Sequence, residues 1–424
     1  MHTLKEIYHD NEERNFIDPS LYSRYRVKAG LRNDNGTGVK VGLTKICDVI
    51  GYKIIHEKKY NIDGQLIYRG YPINYLVNKQ PSDKIYGFEE TAYLLIFGTL
   101  PNADQLKAFK DYLLNFKMGP VDLQYETPNI LNALQIEVLK LYAKDPSADT
   151  DDLEERMMKG LKILASIPLF TFSYARNKVF KSYPYPDRSL AENILCMARG
   201  NDQYTFEEAK IMDTLLMVHA NHGGGNNSTF ANVVISSTGT DIYSCISAAI
   251  GSLKGPKHGG ANCKVTNMFK AIFHEVGFTT DKATLKKIAN RILDKDFFDH
   301  SGLIYGIGHA IYTKSDPRAL LIHEQCEALA KSKGQEEIYN CIHAFEKVAI
   351  EVMKERKDID VCANVDYYSG YVYSLLGIES DLFTPLFAIS RTAGWVSHHL
   401  ENRQSNRKLI RPANVYVGEM EEIK

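Results

Sequence analysis

The sequence predicts an all-α protein, a large many-helix assembly with a minor N-terminal β-hairpin. Three observations carry that expectation. From about residue 89 onward, segment after segment repeats its apolar residues at three- and four-residue spacing, the period of a helix with one buried face. No strand–helix–strand alternation and no fixed-period repeat interrupts the series. The one good strand signal lies in 46–70, where Tyr60-Asn-Ile and Leu66-Ile-Tyr flank Asp63-Gly64, a pair suited to a tight hairpin turn.

In chain order, residues 1–45 form a polar arm. Its basic cluster (Arg24, Arg26, Lys28, Arg32) and Asn-Asp-Asn-Gly-Thr-Gly stretch read as solvated loop. The hairpin follows. Residues 89–97 begin acidic and close at Gly98, with Pro101 beyond. Helices are predicted over 129–142 and 153–167, the second ended by Pro168. The pattern continues over 206–220, 241–254, 264–276 and 281–293. Another helix, 317–330, opens on a proline, which costs little at a first helical position. The last two are 336–353 and 382–401.

The 424 residues suffice for two or three domains, or one large core with a satellite. Hydrophobic content of 44% and charged content of 24% are ordinary for a soluble globular chain. With 51 basic against 52 acidic residues, no bulk charge draws the protein to nucleic acid or an anionic membrane. Seven scattered cysteines without a C-x-x-C pair fit free thiols in a reducing compartment. The N-terminal MHTLKEIYHDNEERNF has no apolar core of a targeting signal, and no apolar run approaches a membrane span. A cytoplasmic location is expected.

Four polar clusters stand at the ends of apolar helices. In GPKHGGAN, Gly255 and Pro256 stop a helix and display His258 on a glycine-rich turn. In HANHGGGNNS, His219 and His222 stand three apart, but no third or fourth ligand lies at metal-site spacing. In GIGHAIYTKSDPR, a glycine turn with free N–H groups precedes His309, and Arg318 opens a helix; the plainer reading is a tight turn with an Arg–Asp surface pair. In NVDYYSG, Asp366 between an aliphatic and two aromatics suits a desolvated carboxylate with a raised pKa, or more plainly a helix cap. Arg391 sits on a long apolar helix, where a charge is costly without an anionic partner, and Arg411 lies in the tail. Converging guanidiniums suit a di- or tricarboxylate.

In their order and spacing, GPKHGGAN, GIGHAIYTKSDPR, NVDYYSG and SRTAGW resemble the citrate synthase family, and closest its bacterial members. DGQLIYRGYPI at 63–73, FEETAYLLIFGTLP at 88–101 and HANHGGGNNSTF at 219–230 extend the resemblance to about 45–417. It implies a helical homodimer whose subunits have a large domain (46–259 and 378–424) and a small one (260–377) closing over the substrates. The reaction would condense acetyl-CoA with oxaloacetate and hydrolyse the citryl thioester. Asp366 would be the base, His258 would stabilise the enol, and His309 would polarise the ketone. His222, Arg318 and Arg391 would bind oxaloacetate, with Arg411 reaching in from the partner subunit. Gly306, Ile307 and Gly308 would hold the CoA adenine, with Lys257, Lys314 and Asn364 as further CoA contacts. Acyl-CoA would be a co-substrate; no permanently bound cofactor, no metal, no nucleic acid and no membrane is expected.

Four positions depart from the family's pattern: Asn221 and Gly223 where acidic residues are usual, Cys263 for a frequent glutamate, and Thr313 for a basic residue. They leave the three catalytic candidates intact and bear on CoA-phosphate contacts and the hinge. Two further readings remain: a 2-methylcitrate synthase using propionyl-CoA, and a non-catalytic homologue serving assembly or regulation. The retained histidines, aspartate and arginines oppose the second, because a scaffold needs no converging charges.

Overall fold

The structure, a computed structural model, describes residues 4–10, 13, 16–56, 58–81, 83–119, 121, 123, 127–405 and 408–418. The chain divides into two units. The smaller joins the arm up to Leu43 with the tail from Ile410. It contains α1 (Leu4–Asp10) and α2 (Ser20–Arg24), and no residue of α2 is buried. In the basic cluster Arg24 and Arg26 are exposed, Lys28 and Arg32 are half-buried, and Lys28 pairs with Asp34 at 3.1 Å across the loop.

The larger unit, Thr44–Leu409, opens with a three-stranded antiparallel sheet in the order β1 (Cys47–Ile55), β2 (Lys58–Tyr68), β3 (Tyr71–Pro72). The hairpin exists, but its reversal is not at Asp63-Gly64. Ile55 pairs with Lys58, and Asp63-Gly64 lies within β2. Pairing jumps from Ile50–Gln65 to Tyr52–Asn61, so Gly51 faces a bulge that contains Gly64. A Cβ on Gly64 would stand 2.2 Å from the Ser315 carbonyl, and one on Gly51 2.3 Å from the Ile311 carbonyl. The glycines serve backbone contact with the loop after His309 rather than a turn.

Helices fill the rest: α3 (Ile73–Asn78), α4 (Gly87–Phe97), α5 (Ala103–Leu114), α6 (Ile130–Ala143), α7 (Leu153–Ala175), α8 (Leu190–Arg199), α9 (Phe206–His219), α10 (Asn227–Ser236) and α11 (Ile242–Lys254). Then come α12 (Ala261–Val276), α13 (Lys282–Leu293), α14 (Pro317–Ser332), α15 (Glu336–Lys357), α16 (Val365–Leu375) and α17 (Phe383–Gln404). None of the described helices is long and apolar enough to cross a membrane. The core centres on α17, which packs against α4, α7, α9, α10 and α11 and is buried through most of its length. A helix covered on all sides needs no amphipathic stripe. Helices α12–α16 pack largely on one another, α12 and α14 on α16 and α13 on α15.

Pro168 does not end its helix; α7 continues seven residues past it to Ala175. Most of that helix is buried, and the Tyr183 hydroxyl donates to the Ala165 carbonyl at 2.8 Å, one turn before the proline. Packing outweighs the bond to the Leu164 carbonyl that Pro168 cannot make. Two missed helices, α5 and α8, carried readable capping boxes, Asn102 with Gln105 and Ser189 with Glu192.

Two buried carboxylates join the starts of α4 and α8. Asp213 accepts the Gly87 and Phe88 N–H groups at 2.9 Å each, and Glu89 accepts the Leu190 N–H at 2.8 Å. Burial pushes both carboxyls above the usual range, and the nearby charge of Glu89 raises Asp213 further. The folded state therefore holds protons that the unfolded chain releases. That contribution to stability is full below the ordinary carboxylate pKa and is lost as pH rises through the raised values. We expect Glu89→Gln to flatten this loss, its thermal midpoint gaining on wild type from about pH 5 to about pH 9. Parallel pH profiles for the two proteins would refute the assignment.

Candidate active site

Six side chains from six separate stretches meet in the larger unit. His222 follows α9 on a turn that β2 holds in place. The Tyr68 hydroxyl donates to the Asn221 carbonyl at 2.8 Å, and the Asn221 side-chain oxygen accepts the N–H groups of His222 and Gly223 at 2.8 and 3.2 Å. The His222 ring is buried, edge-on to His309 at 5.1 Å, and its Nε2 has no protein partner. Burial, with the charges of Arg318 and other neighbours, holds it well below the usual imidazole pKa, so the ring is neutral. His219, at the end of α9, likewise has a buried Nε2 without a protein partner. Its Nδ1 lies 2.8 Å from the Leu215 carbonyl and its ring against Phe387 at 4.3 Å.

His309 and Asp366 are laced together by backbone. Ile307 bridges to Ala363, the Gly308 N–H donates to the Cys362 carbonyl, and the Asn364 N–H donates to the Gly306 carbonyl, the last two at 2.8 Å. Asn364 also donates from its side chain to the Gly308 carbonyl and caps α16 by accepting the Asp366 N–H. Gly306 has a φ of +83°, and a Cβ there would stand 2.8 Å from the Tyr367 ring. Beyond this turn, the Ile311 and Tyr312 N–H groups both donate to His309 Nδ1 at 3.1 Å. With Nδ1 an acceptor, a neutral His309 carries its proton on Nε2.

Arg318 is buried, not part of a surface pair. Its guanidinium forks onto Asp316 through Nε at 3.0 Å and Nη2 at 2.7 Å, and Asp316 is 1% exposed. Asp316 also accepts the Val365 N–H at 3.2 Å, fixing Arg318 against the start of α16. Arg391, in mid-α17, is fully buried without a carboxylate. Its Nε donates to the His219 carbonyl at 2.6 Å and its Nη1 to the Asn226 side-chain oxygen at 3.1 Å, while Nη2 has no partner. Burial brings it down to about 10, still charged at neutral pH.

Asp366, the second residue of α16, has one buried oxygen without a partner. Burial raises its carboxyl to about 7, against the lowering pull of Arg318 and Arg391. The cap is Asn364, so the side chain of Asp366 is free for other work. His258 is half-buried on the turn between α11 and α12, with Nε2 3.1 Å from Ser228 Oγ. Burial and the charge of Arg391 lower it to about 4. Ser228 in turn donates to the Asn226 side chain at 2.9 Å and accepts from Trp395 Nε1 at 3.3 Å. A hydroxyl can rotate. When Ser228 donates instead to Nε2, the single proton of the ring sits on Nδ1.

Lys257 and Lys314 are exposed. Arg411 is exposed in the other unit. Ser228, Asn226 and Tyr68 escaped the sequence reading because each acts on a residue distant in sequence, whereas Asp316 was read only as half of a surface pair. For Asp316 the signal was present in Ser-Asp-Pro-Arg, where an N-cap aspartate precedes the helix-opening proline.

The family model described as "Citrate synthase, C-terminal domain" matches residues 33–413. The chain is 37% identical to the citrate synthase of Haloferax volcanii, over 87% of this chain and 94% of that one. It is 32% identical to 2-methylcitrate synthase 1 of Corynebacterium glutamicum, over 83% and 88%. It also superposes on the ternary complex of citrate synthase from Thermoplasma acidophilum with carboxymethyl coenzyme A and oxaloacetate. There the TM-score is 0.74 at 26% identity, covering 94% of this chain and 98% of that one. Fold and site thus define a helical enzyme of the acyltransferase class. Within that class, the chain belongs to the citrate synthase family.

Proposed function

We propose that the protein condenses acetyl-CoA with oxaloacetate and hydrolyses the citryl thioester to citrate and CoA. One observation carries the reading. Four buried polar atoms lack protein partners, Arg391 Nη2, His219 Nε2, His222 Nε2 and Asp366 Oδ1, and they belong to Arg391 and to three groups that its charge perturbs. Unpaired buried polar atoms are costly, and such a set matches a ligand with both anionic and reactive groups.

Oxaloacetate carboxylates would take Arg391 Nη2 and Arg318, with His222 beside them. Asp366 removes a proton from the acetyl methyl, and His258 Nδ1–H holds the thioester oxygen as charge builds there. The enol carbon attacks the ketone while His309 Nε2–H supplies the proton to the developing alkoxide. Water then cleaves the citryl thioester, and CoA leaves as the thiol. Acetyl-CoA acts as a co-substrate, and no resident cofactor or metal is invoked.

The remaining assignments belong to the same proposal. Residues 260–377 form the small domain that closes over the substrates, a division that the mutual packing of α12–α16 supports. The turn from Gly306 through Ile307 to Gly308 takes the adenine of CoA; exposed Lys257 and Lys314 meet its phosphates, and Asn364 shapes the turn. Arg411 completes the site of the second copy in a cytoplasmic homodimer.

A 2-methylcitrate synthase is the second reading, since relatives of that name match at 32% identity. One added methyl shifts discrimination by only about 1–3 kcal/mol. Thiol release from acetyl-CoA and propionyl-CoA, each with oxaloacetate, separates the two. Faster release from acetyl-CoA is expected; faster release from propionyl-CoA would transfer the assignment, and no release from either would sink both.

A further inference from the structure

The helices that present Arg318 and Asp366 share an anchor at their far ends. Glu208, the third residue of α9, is 2% exposed. Arg199 forks onto its carboxylate at 3.0 and 2.9 Å, Lys333 reaches it at 2.5 Å, and the Thr205 N–H donates to it at 2.8 Å. Although burial alone would raise Glu208, the hydrogen bonds from Arg199 and Lys333 hold it down at about 2. Arg199 also donates through Nε and Nη2 to the Leu376 carbonyl, at 2.9 and 2.8 Å. Leu376 immediately follows α16, and Lys333 immediately follows α14. One buried carboxylate therefore ties down the C-terminal ends of both helices. Their N-terminal ends carry the base and a carboxylate-binding arginine.

We propose that Glu208, with Arg199 and Lys333, is a positioning anchor for the reaction. It sets the angle at which the α14–α16 pair delivers Arg318 and Asp366 to the substrates. The helices pack on each other along their lengths. At 16 and 11 residues they span about 24 and 16 Å, so a turn of about 3° at the anchor moves the Arg318 end by about 1 Å. Gly377, with a φ of +72°, follows Leu376 and begins the connection to α17, a permissive joint beside the fixed point. The proposal rests on the citrate synthase reading for its catalytic consequence.

Lys333 is 34% exposed, so its replacement spares the fold where Glu208→Gln endangers it. The test uses Lys333→Met and Lys333→Arg in the full chain. The readouts are steady-state rates with oxaloacetate and acetyl-CoA, thermal unfolding, and hydrogen exchange at residues 318–320 and 365–368. Lys333→Met is expected to lower kcat on the order of 10-fold with little change in KM for oxaloacetate or in the unfolding midpoint. Exchange at both distal helix starts should quicken, and Lys333→Arg should restore rate and protection. An unchanged kcat with unchanged exchange overturns the anchor. So does a rate loss that follows lost stability and is not rescued by arginine. A wild-type protein that releases no thiol would sink the catalytic reading instead, and the exchange comparison would still decide the anchor.

Discussion

Replacing Asp366 by asparagine is expected to lower kcat by about 10²–10⁴-fold, the contribution of a positioned general base. Oxaloacetate should bind the variant at least as well as wild type, because a negative charge is removed from beside two guanidiniums. Burial raises this carboxyl to about 7, so the variant also loses a charge that the folded protein tolerates poorly. Equal or greater stability above neutral pH follows, with the rate falling while the fold improves. As a base Asp366 would act in its carboxylate form, so kcat/KM in wild type should rise with pH through an apparent pKa near 7 and be flat in the variant. Arg318 and Arg391 pull that pKa down in the free enzyme. Once oxaloacetate neutralises them, the limb seen in kcat should lie at higher pH than that in kcat/KM. A limb that moves to lower pH, or an active Asp366→Asn protein, would remove Asp366 from the role of base.

These residues were legible in the sequence to different depths. The helical architecture was plain from periodicity, but the capping signals went unused, and α5 and α8 were missed although a capping box opens each. Two local signals misled. Asp63-Gly64 has the chemistry of a hairpin turn, yet the strand runs through it because the Ser315 carbonyl lies against Gly64. Pro168 carries a stop signal that burial of α7 overrides. Short motifs gave the residues with their own chemistry, namely His258, His309, Asp366, Arg318 and Arg391. Supporting residues act across gaps no motif spans. Ser228 touches His258 across thirty residues, and Tyr68 holds Asn221 across more than a hundred. Pairings of that range are made by the tertiary fold, and periodicity carries no trace of them.

The two buried arginines should respond to the same substitution in opposite ways. Arg318 is already paired, and Arg318→Met would leave Asp316, 1% exposed, as an uncompensated buried charge. Breaking such a pair costs about 3–5 kcal/mol, so this variant should unfold at markedly lower denaturant. Arg391 has no carboxylate partner, only the His219 carbonyl and the Asn226 side chain. Arg391→Met gives up those two hydrogen bonds to a charged group, about 1.5–3 kcal/mol each, and also removes a buried cation that no carboxylate pairs directly. Its unfolding midpoint should hold or rise. Oxaloacetate, however, would lose the partner for a carboxylate in a dry site, a loss of at least about 2 kcal/mol, or roughly 30-fold in affinity. Calorimetric titration with oxaloacetate and denaturant unfolding of the two variants read both quantities. Destabilisation by Arg391→Met with undiminished oxaloacetate affinity would make Arg391 a structural residue and leave Arg318 as the cation that selects the substrate.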